Sequence, residues 1–139
     1  MTKKKWVWMP HPGHFIGSRD CRFHLNTYIG KYIISTVGEY WPDQMVRRIH
    51  ANVYDPEWYL KNQDKKGDMF DSIFLSKFGY HDIGVDRKYE TMVFKATKSK
   101  NKCCPYSVSD WSNIDMEGYN SADDATKGHL KMCNKWSKK

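Results

Sequence analysis

The chain has 139 residues, an aromatic fraction of 15% that includes six Trp and nine Tyr, and a formal net charge of +7. That length suits one modest hydrophobic core without disulfide staples, and the aromatic content excludes disorder over most of the chain. No apolar run approaches the roughly 18 residues of a membrane span, and the charged start MTKKKWVWMP leads into no apolar signal region, so a soluble intracellular protein is expected, its four Cys reduced or metal-bound and not a disulfide framework.

KWVWM predicts a short aromatic strand, ended by the turn PHPG, where Pro10 and Pro12 restrict the chain and Gly13 releases it. CRFHLNTYIGKYIISTVGEY predicts a hairpin with a type II′ turn at Gly30-Lys31. Cross-strand partners should then sum to 61. One face carries Cys21, Phe23, Leu25, Thr27, Ile29, Tyr32, Ile34 and Thr36 as core, and the other carries Arg22, His24, Asn26, Tyr28, Ile33, Ser35, Val37 and Glu39, with Arg22 opposite Glu39 as an expected ion pair.

Two helices follow. DQMVRRIHANV sets Met45, Val46, Ile49 and Val53 at helical spacing after a Pro42-Asp43 start. DPEWYLKNQ opens with Asp55 as N-cap and Pro56 in the first turn. DMFDSIFLSKFGY predicts a third helix, with Phe70, Ile73, Phe74 and Phe78 on one side and Gly79 as its stop. RKYETMVFKAT predicts a strand in which Tyr89, Thr91 and Val93 alternate with Glu90, Met92 and Phe94. A Lys-rich loop leads to CCPY, and SNIDMEGY predicts a short extended piece. In NSADDATKGHLKMCNKW, Ser121 is an N-cap with Asp124 three residues on. Ala122, Ala125, His129, Met132, Cys133 and Trp136 then form one stripe of a closing helix.

The expected fold is a single α+β domain over residues 1–139 with short basic N- and C-terminal tails. It is a small antiparallel sheet built on a central hairpin and packed by three to four helices. Ten of the 23 basic residues fall in three segments without acids: Lys3 to Lys5, Lys95 to Lys102, and Lys135 to Lys139. The remainder is slightly acidic, so the positive charge belongs to the two ends and one loop, where it can meet phosphates.

Two constellations carry chemistry. His11, His14 and His24 can gather on the polar face of the hairpin as metal ligands or as general acid and base on a phosphate ester. They are the candidate catalytic residues. Cys21 cannot join His24, because residues three apart on a strand point to opposite faces. The plainer reading of the histidines is loop capping. The second constellation is Cys103, Cys104, His129 and Cys133, a candidate structural zinc site in which His129 and Cys133 stand one helical turn apart. Adjacent cysteines chelate one ion poorly, and an apolar stripe suits a core His and a buried thiol, so the reading without cofactor leads and zinc is the alternative. Glu90 needs a cationic partner if its face is covered, with Arg87 or Arg22 available. The nucleotide-binding, zincin and serine-hydrolase signatures G-x-G-x-x-G, P-loop, H-E-x-x-H and G-x-S-x-G do not occur.

WMPHPGHFI, CRFHLNTYIGKYIISTVGEYWP, RKYETMVFKA, CCPY and GYNSADDATKGHLKMCNKW together resemble small proteins of tailed bacteriophages and prophages. The resemblance carries over no catalytic residue. It implies a small accessory protein in the cytoplasm of the bacterial host, more a binder than an enzyme. The expected function is a binding module for a host protein or nucleic acid, with a host-takeover or defence-antagonist role. Its contact surface would be the polar hairpin face with Lys95, Lys98, Lys100 and Lys102, with no membrane partner and the oligomeric state open. The alternative is a small histidine- or metal-dependent hydrolase or nuclease acting on a phosphate ester.

Overall fold

The computed structural model describes residues 4–9, 20–99 and 106–139. They form two compact units, one from residues 1–40 and 82–139 and the other from Trp41–His81. Together the elements make an antiparallel sheet of five strands and four helices, the expected α+β class.

The first unit is a meander. β1 (Trp6–Trp8), β2 (Cys21–Ile29), β3 (Tyr32–Tyr40), β4 (Tyr89–Lys98) and β5 (Tyr106–Tyr119) lie side by side in chain order, each antiparallel to the last. The central hairpin has the predicted register, from Cys21 opposite Tyr40 to Ile29 opposite Tyr32. Gly30 takes φ 62° while Lys31 stays out of the left-handed region, as a type II′ turn requires. A one-residue slip would turn Thr27, Ile29, Ile34 and Thr36 away from the core, so burial of that face holds the register.

α4 (Ala122–Ser137) lies across that face. Ser121 caps it by accepting a hydrogen bond from the Asp124 amide at 3.1 Å. Its inner side buries Ala125, His129, Met132 and Cys133, the predicted stripe. Ile29, Ile34, Val93, Met132 and Cys133 make the core, with Trp6, Tyr32 and Trp136 packed at its edge. Asp115 of β5 accepts from Lys135 Nζ at 2.6 Å and Trp136 Nε1 at 3.0 Å, which ties the sheet edge to the end of the helix.

The second unit is helical: α1 (Gln44–Tyr54), α2 (Pro56–Asn62) and α3 (Gly67–Phe78). Asp43 and Asp55 cap α1 and α2 by accepting from the Val46 and Trp58 amides, and Gly79 ends α3 at φ 73°. Ala51, Phe70 and Phe74 are fully buried, with Trp41, Trp58, Tyr59 and Phe78 around them.

The apolar spacing of α1 marks its outer side. Met45, Ile49 and Val53 are exposed, and the residues turned inward are Arg47 and Ala51. Arg47 is buried because every part of it is matched. Its guanidinium lies 4.1 Å from the Trp41 ring, its Nε donates to the Pro42 carbonyl at 3.0 Å, and it pairs with Asp71. A planar cation over an aromatic ring loses little on leaving water when its N–H groups are also satisfied.

Candidate functional site

The two faces of the sheet differ in chemistry. Under α4 lies a buried hydroxyl–imidazole chain. His129 Nε2 is bonded to Thr27 Oγ1 at 2.8 Å and its Nδ1 to Thr36 Oγ1 at 2.7 Å, and Thr36 continues to Thr91 Oγ1 at 2.6 Å. The threonines come from three neighbouring strands and all four residues are buried. Burial lowers the His129 pKa to about 4, so the ring is neutral at pH 7, one nitrogen donating and the other accepting. Burial pushes the Cys133 thiol up to about 11, with a hydrogen bond to Thr27 acting the other way. This is the chemistry of a satisfied core histidine and an unreactive thiol.

Two of the four candidate zinc ligands are thereby placed. Both His129 nitrogens are committed to threonines, and Cys133 shares the Thr27 hydroxyl. Cys103 and Cys104 lie outside the described residues, as do His11 and His14. Among the described residues no three His, Cys, Asp or Glu side chains gather closely enough to hold one metal ion.

The opposite face carries His24. Cys21 is buried and His24 exposed, as their three-residue spacing predicts. His24 pairs across to Val37 and Val37 to Glu90, which sets His24 and Glu90 two strand spacings apart, about 10 Å. Burial lowers the His24 pKa. Glu90 is 8% exposed and pairs with Arg87 at 3.4 Å, one of the two partners expected for it. Its desolvation still outweighs the cation and raises its pKa. Gly118 makes this pair possible, because Arg87 Cδ lies 1.9 Å from where a Cβ at that position would stand.

In the described part of the β4–β5 hairpin, Lys95, Thr97, Lys98 and residues 109–114 are exposed. The predicted Lys-rich loop starts later than its composition indicates, since Lys95 and Lys98 still belong to β4. Both are exposed, and Lys100 and Lys102 fall outside the described residues. The pairing breaks here: Val93 faces Asp115, but Lys95 faces Asp110 and Ala96 faces Val108. Residues 111–114 therefore stand against Phe94 alone, three more than the ladder needs, and bulge from β5. The bulge is held by its own polar groups, the Ser112 backbone N–H donating to the Asp110 carboxylate at 2.9 Å and the Asn113 side-chain Nδ2 to Met116 Sδ at 3.5 Å. Those Ser112 hydrogen bonds, more than the nearby Lys95, hold the Asp110 pKa down.

The bulge presents Trp111, which is 58% exposed while its ring meets the buried Phe94 edge-on at 5.7 Å. Nearby, Tyr106 stacks on Tyr28 with ring centroids 3.6 Å apart and planes 7° apart. Tyr28 is on β2, and β3 and β4 stand between β2 and β5. Tyr106, at the start of β5, therefore reaches the side of the sheet that carries Tyr28. These aromatics escaped sequence reasoning. The only signal was one Trp in the polar run SVSDWSNI, where no strand period assigns it a face.

Charge separates the units. Residues 41–81 carry six basic and six acidic side chains, whereas the remainder carries 17 basic and 10 acidic. All of the +7 belongs to the sheet unit. In comparisons with known proteins, no family model matches the chain, and no curated protein or solved structure is significantly similar to it.

Proposed function

We propose that the chain is a small accessory binding module, of the kind implied by its resemblance to proteins of tailed phages, and that its sheet unit takes nucleic acid in the cytoplasm of a bacterial host. The observation that carries this reading is the β4–β5 hairpin, where Lys95, Lys98 and Trp111 are all exposed. Residues 94–114 hold four lysines against one acid. A basic segment next to an exposed aromatic ring is the combination that phosphates and bases recognise together. The long-range attraction comes from the whole unit, and the hairpin end supplies the close contacts.

Binding to a polynucleotide should then be governed by salt. With about four phosphate contacts at about 0.7 in slope each on a single strand, affinity should fall roughly 50-fold between about 50 and 200 mM salt. Lys95→Gln with Lys98→Gln should about halve the slope of log affinity against log salt. Fluorescence anisotropy on a labelled oligonucleotide measures both. Absence of binding at low salt, or a slope unmoved by the double substitution, contradicts the proposal.

A second reading is supported by α1. Met45, Ile49 and Val53 form an exposed apolar stripe beside a groove of about 440 Å³ lined by Gln44, Arg48, Asn52 and Tyr59. On a neutral unit such a stripe suits a host protein more than a polyanion.

A further inference from the structure

Resting on the reading that the sheet unit takes nucleic acid, we infer that α4 gives it a second contact surface, a row of lysines that tracks the phosphate backbone of a duplex. Lys127, Lys131, Lys135 and Lys138 recur at spacings of four, four and three, and all are exposed. At about 100° per residue they share an arc of about 80°, turned away from the buried stripe of Ala125, His129, Met132 and Cys133, and they span about 16 Å of helix axis. Residues 127–139 hold five lysines and no acid. Asp123 and Asp124 stand in the first turn of α4, where the helix dipole favours them. Lys135 is paired with Asp115 at 2.6 Å. Among the described residues Lys127, Lys131 and Lys138 have no acid within ion-pair distance.

Helix stability does not account for the row. Like charges four residues apart repel. The dipole favours cations in the last turn, which covers Lys135 and Lys138 but not Lys127 and Lys131. The positive surface also continues past the helix. Lys139 Nζ lies 5.8 Å from the Trp136 ring and Lys4 Nζ 6.0 Å from the Tyr32 ring, and the two rings meet edge-on at 4.7 Å. Lys95 pairs across from Tyr32, so it points to the α4 side of the sheet and joins this surface to β4. The surface offers charge without a stacking platform. Trp136, the aromatic residue of α4, is partly buried against the core, and its indole N–H is held by Asp115. Such a surface fits phosphates and not bases. Each strand of a duplex carries a phosphate every 3.4 Å or so of axis, about five along the row, and the dense charge of the duplex makes counterion release largest there.

The test measures the full chain by fluorescence anisotropy against a labelled DNA duplex of about 16 base pairs and one of its strands alone, with four duplex contacts expected at about 0.9 in salt slope each. Duplex affinity should then fall roughly 150-fold between about 50 and 200 mM salt. Lys127→Gln, Lys131→Gln and Lys138→Gln together should weaken duplex binding at least roughly tenfold and lower its slope by about 2.7, while single-strand binding falls far less. Arginine at the same three positions keeps the charge and should restore duplex binding. Lys61→Gln, Lys65→Gln and Lys66→Gln remove as much charge from the helical unit and should cost far less. The α4 lysines are exposed and repel one another, so their replacement should leave the melting temperature unchanged or raised. Duplex affinity and slope unmoved by the α4 substitutions, with Lys95→Gln and Lys98→Gln still weakening single-strand binding, would overturn this inference and leave the hairpin reading standing. Loss of duplex binding in the α4 variant, with the hairpin pair silent on both probes, would support the row and overturn the hairpin. Equal losses from the α4 and control sets would reduce the effect to net charge and overturn the row. Tighter binding through the same lysines to vesicles of equal parts phosphatidylserine and phosphatidylcholine would assign the row to a membrane surface and overturn it too. No binding of either nucleic acid at low salt would overturn both readings.

Discussion

Replacing His129 with alanine is expected to lower the free energy of unfolding by about 3–5 kcal/mol, the largest loss from any single change in the sheet unit. Two effects add. The imidazole is fully buried, so its removal leaves a cavity that the strands close only in part. It also takes from the buried hydroxyls of Thr27 and Thr36 the partner each now has at 2.8 and 2.7 Å, leaving them only Cys133 and Thr91. Cys133→Ala removes only a thiol and should cost about 1–3 kcal/mol. Urea unfolding of the two variants measures the difference. A zinc site of Cys103, Cys104, His129 and Cys133 would behave otherwise. Both substitutions would then forfeit metal binding energy that is also folding energy, and a chelator would lower the melting temperature of the parent chain. The expected result is unequal losses and a melting temperature indifferent to chelator. Equal large losses with a chelator-sensitive parent would contradict it.

Acid should destabilise the protein well above the range in which carboxylates titrate. His129 has a folded pKa of about 4 against an ordinary value of 6.5. Between those values the unfolded chain binds a proton at this residue and the folded chain does not. Stability is therefore complete above about pH 6.5 and falls as pH drops, by about 1.4 kcal/mol per pH unit, to a total loss of about 3 kcal/mol near pH 4. Among the described residues the ring faces Thr27, Thr36 and Trp8 and shares its helix face with Cys133, none of which carries a charge that would offset this. Glu90 acts in the opposite sense. Its raised pKa means the folded state keeps a proton the unfolded state has lost, a contribution present at low pH and lost as pH rises. Urea unfolding at pH 7, 6, 5 and 4 should show the decline in the parent chain, and His129→Gln should flatten it. A parent stability constant over that interval would sink the argument.

The elements of the fold were legible wherever a period and a boundary signal coincided. The β2–β3 register followed from Gly30 and two alternating runs, and the inner stripe of α4 followed from Ser121 and its three-and-four spacing. Burial of Thr27, Thr36 and Thr91 was half legible. Alternation assigned Thr27 and Thr36 to the core face and left the face of Thr91 open, and only tertiary pairing shows that His129 bonds Thr27 and Thr36 and that Thr91 bonds Thr36. α1 misleads a reader of hydrophobicity because Arg47 is turned inward by Trp41 and Asp71, partners 6 and 24 residues away. Local periodicity has no access to such contacts. The candidate surface on the β4–β5 hairpin was least legible. The lysines were visible as composition, but the bulge that lifts Trp111 exists only as a mismatch in length between β4 and β5, which neither strand shows alone.

The central claim is that the sheet unit, through its β4–β5 end, is the surface that meets nucleic acid. Amide chemical-shift mapping of the full chain during titration with a single-stranded oligonucleotide tests it most directly. The account predicts that the largest perturbations fall on residues 94–98 and 106–114, include the Trp111 indole N–H, and fade as salt is raised, while α1 to α3 stay unmoved. Perturbations centred on Met45, Ile49 and Val53, with the β4–β5 end silent, would contradict it and assign binding to the apolar face of α1.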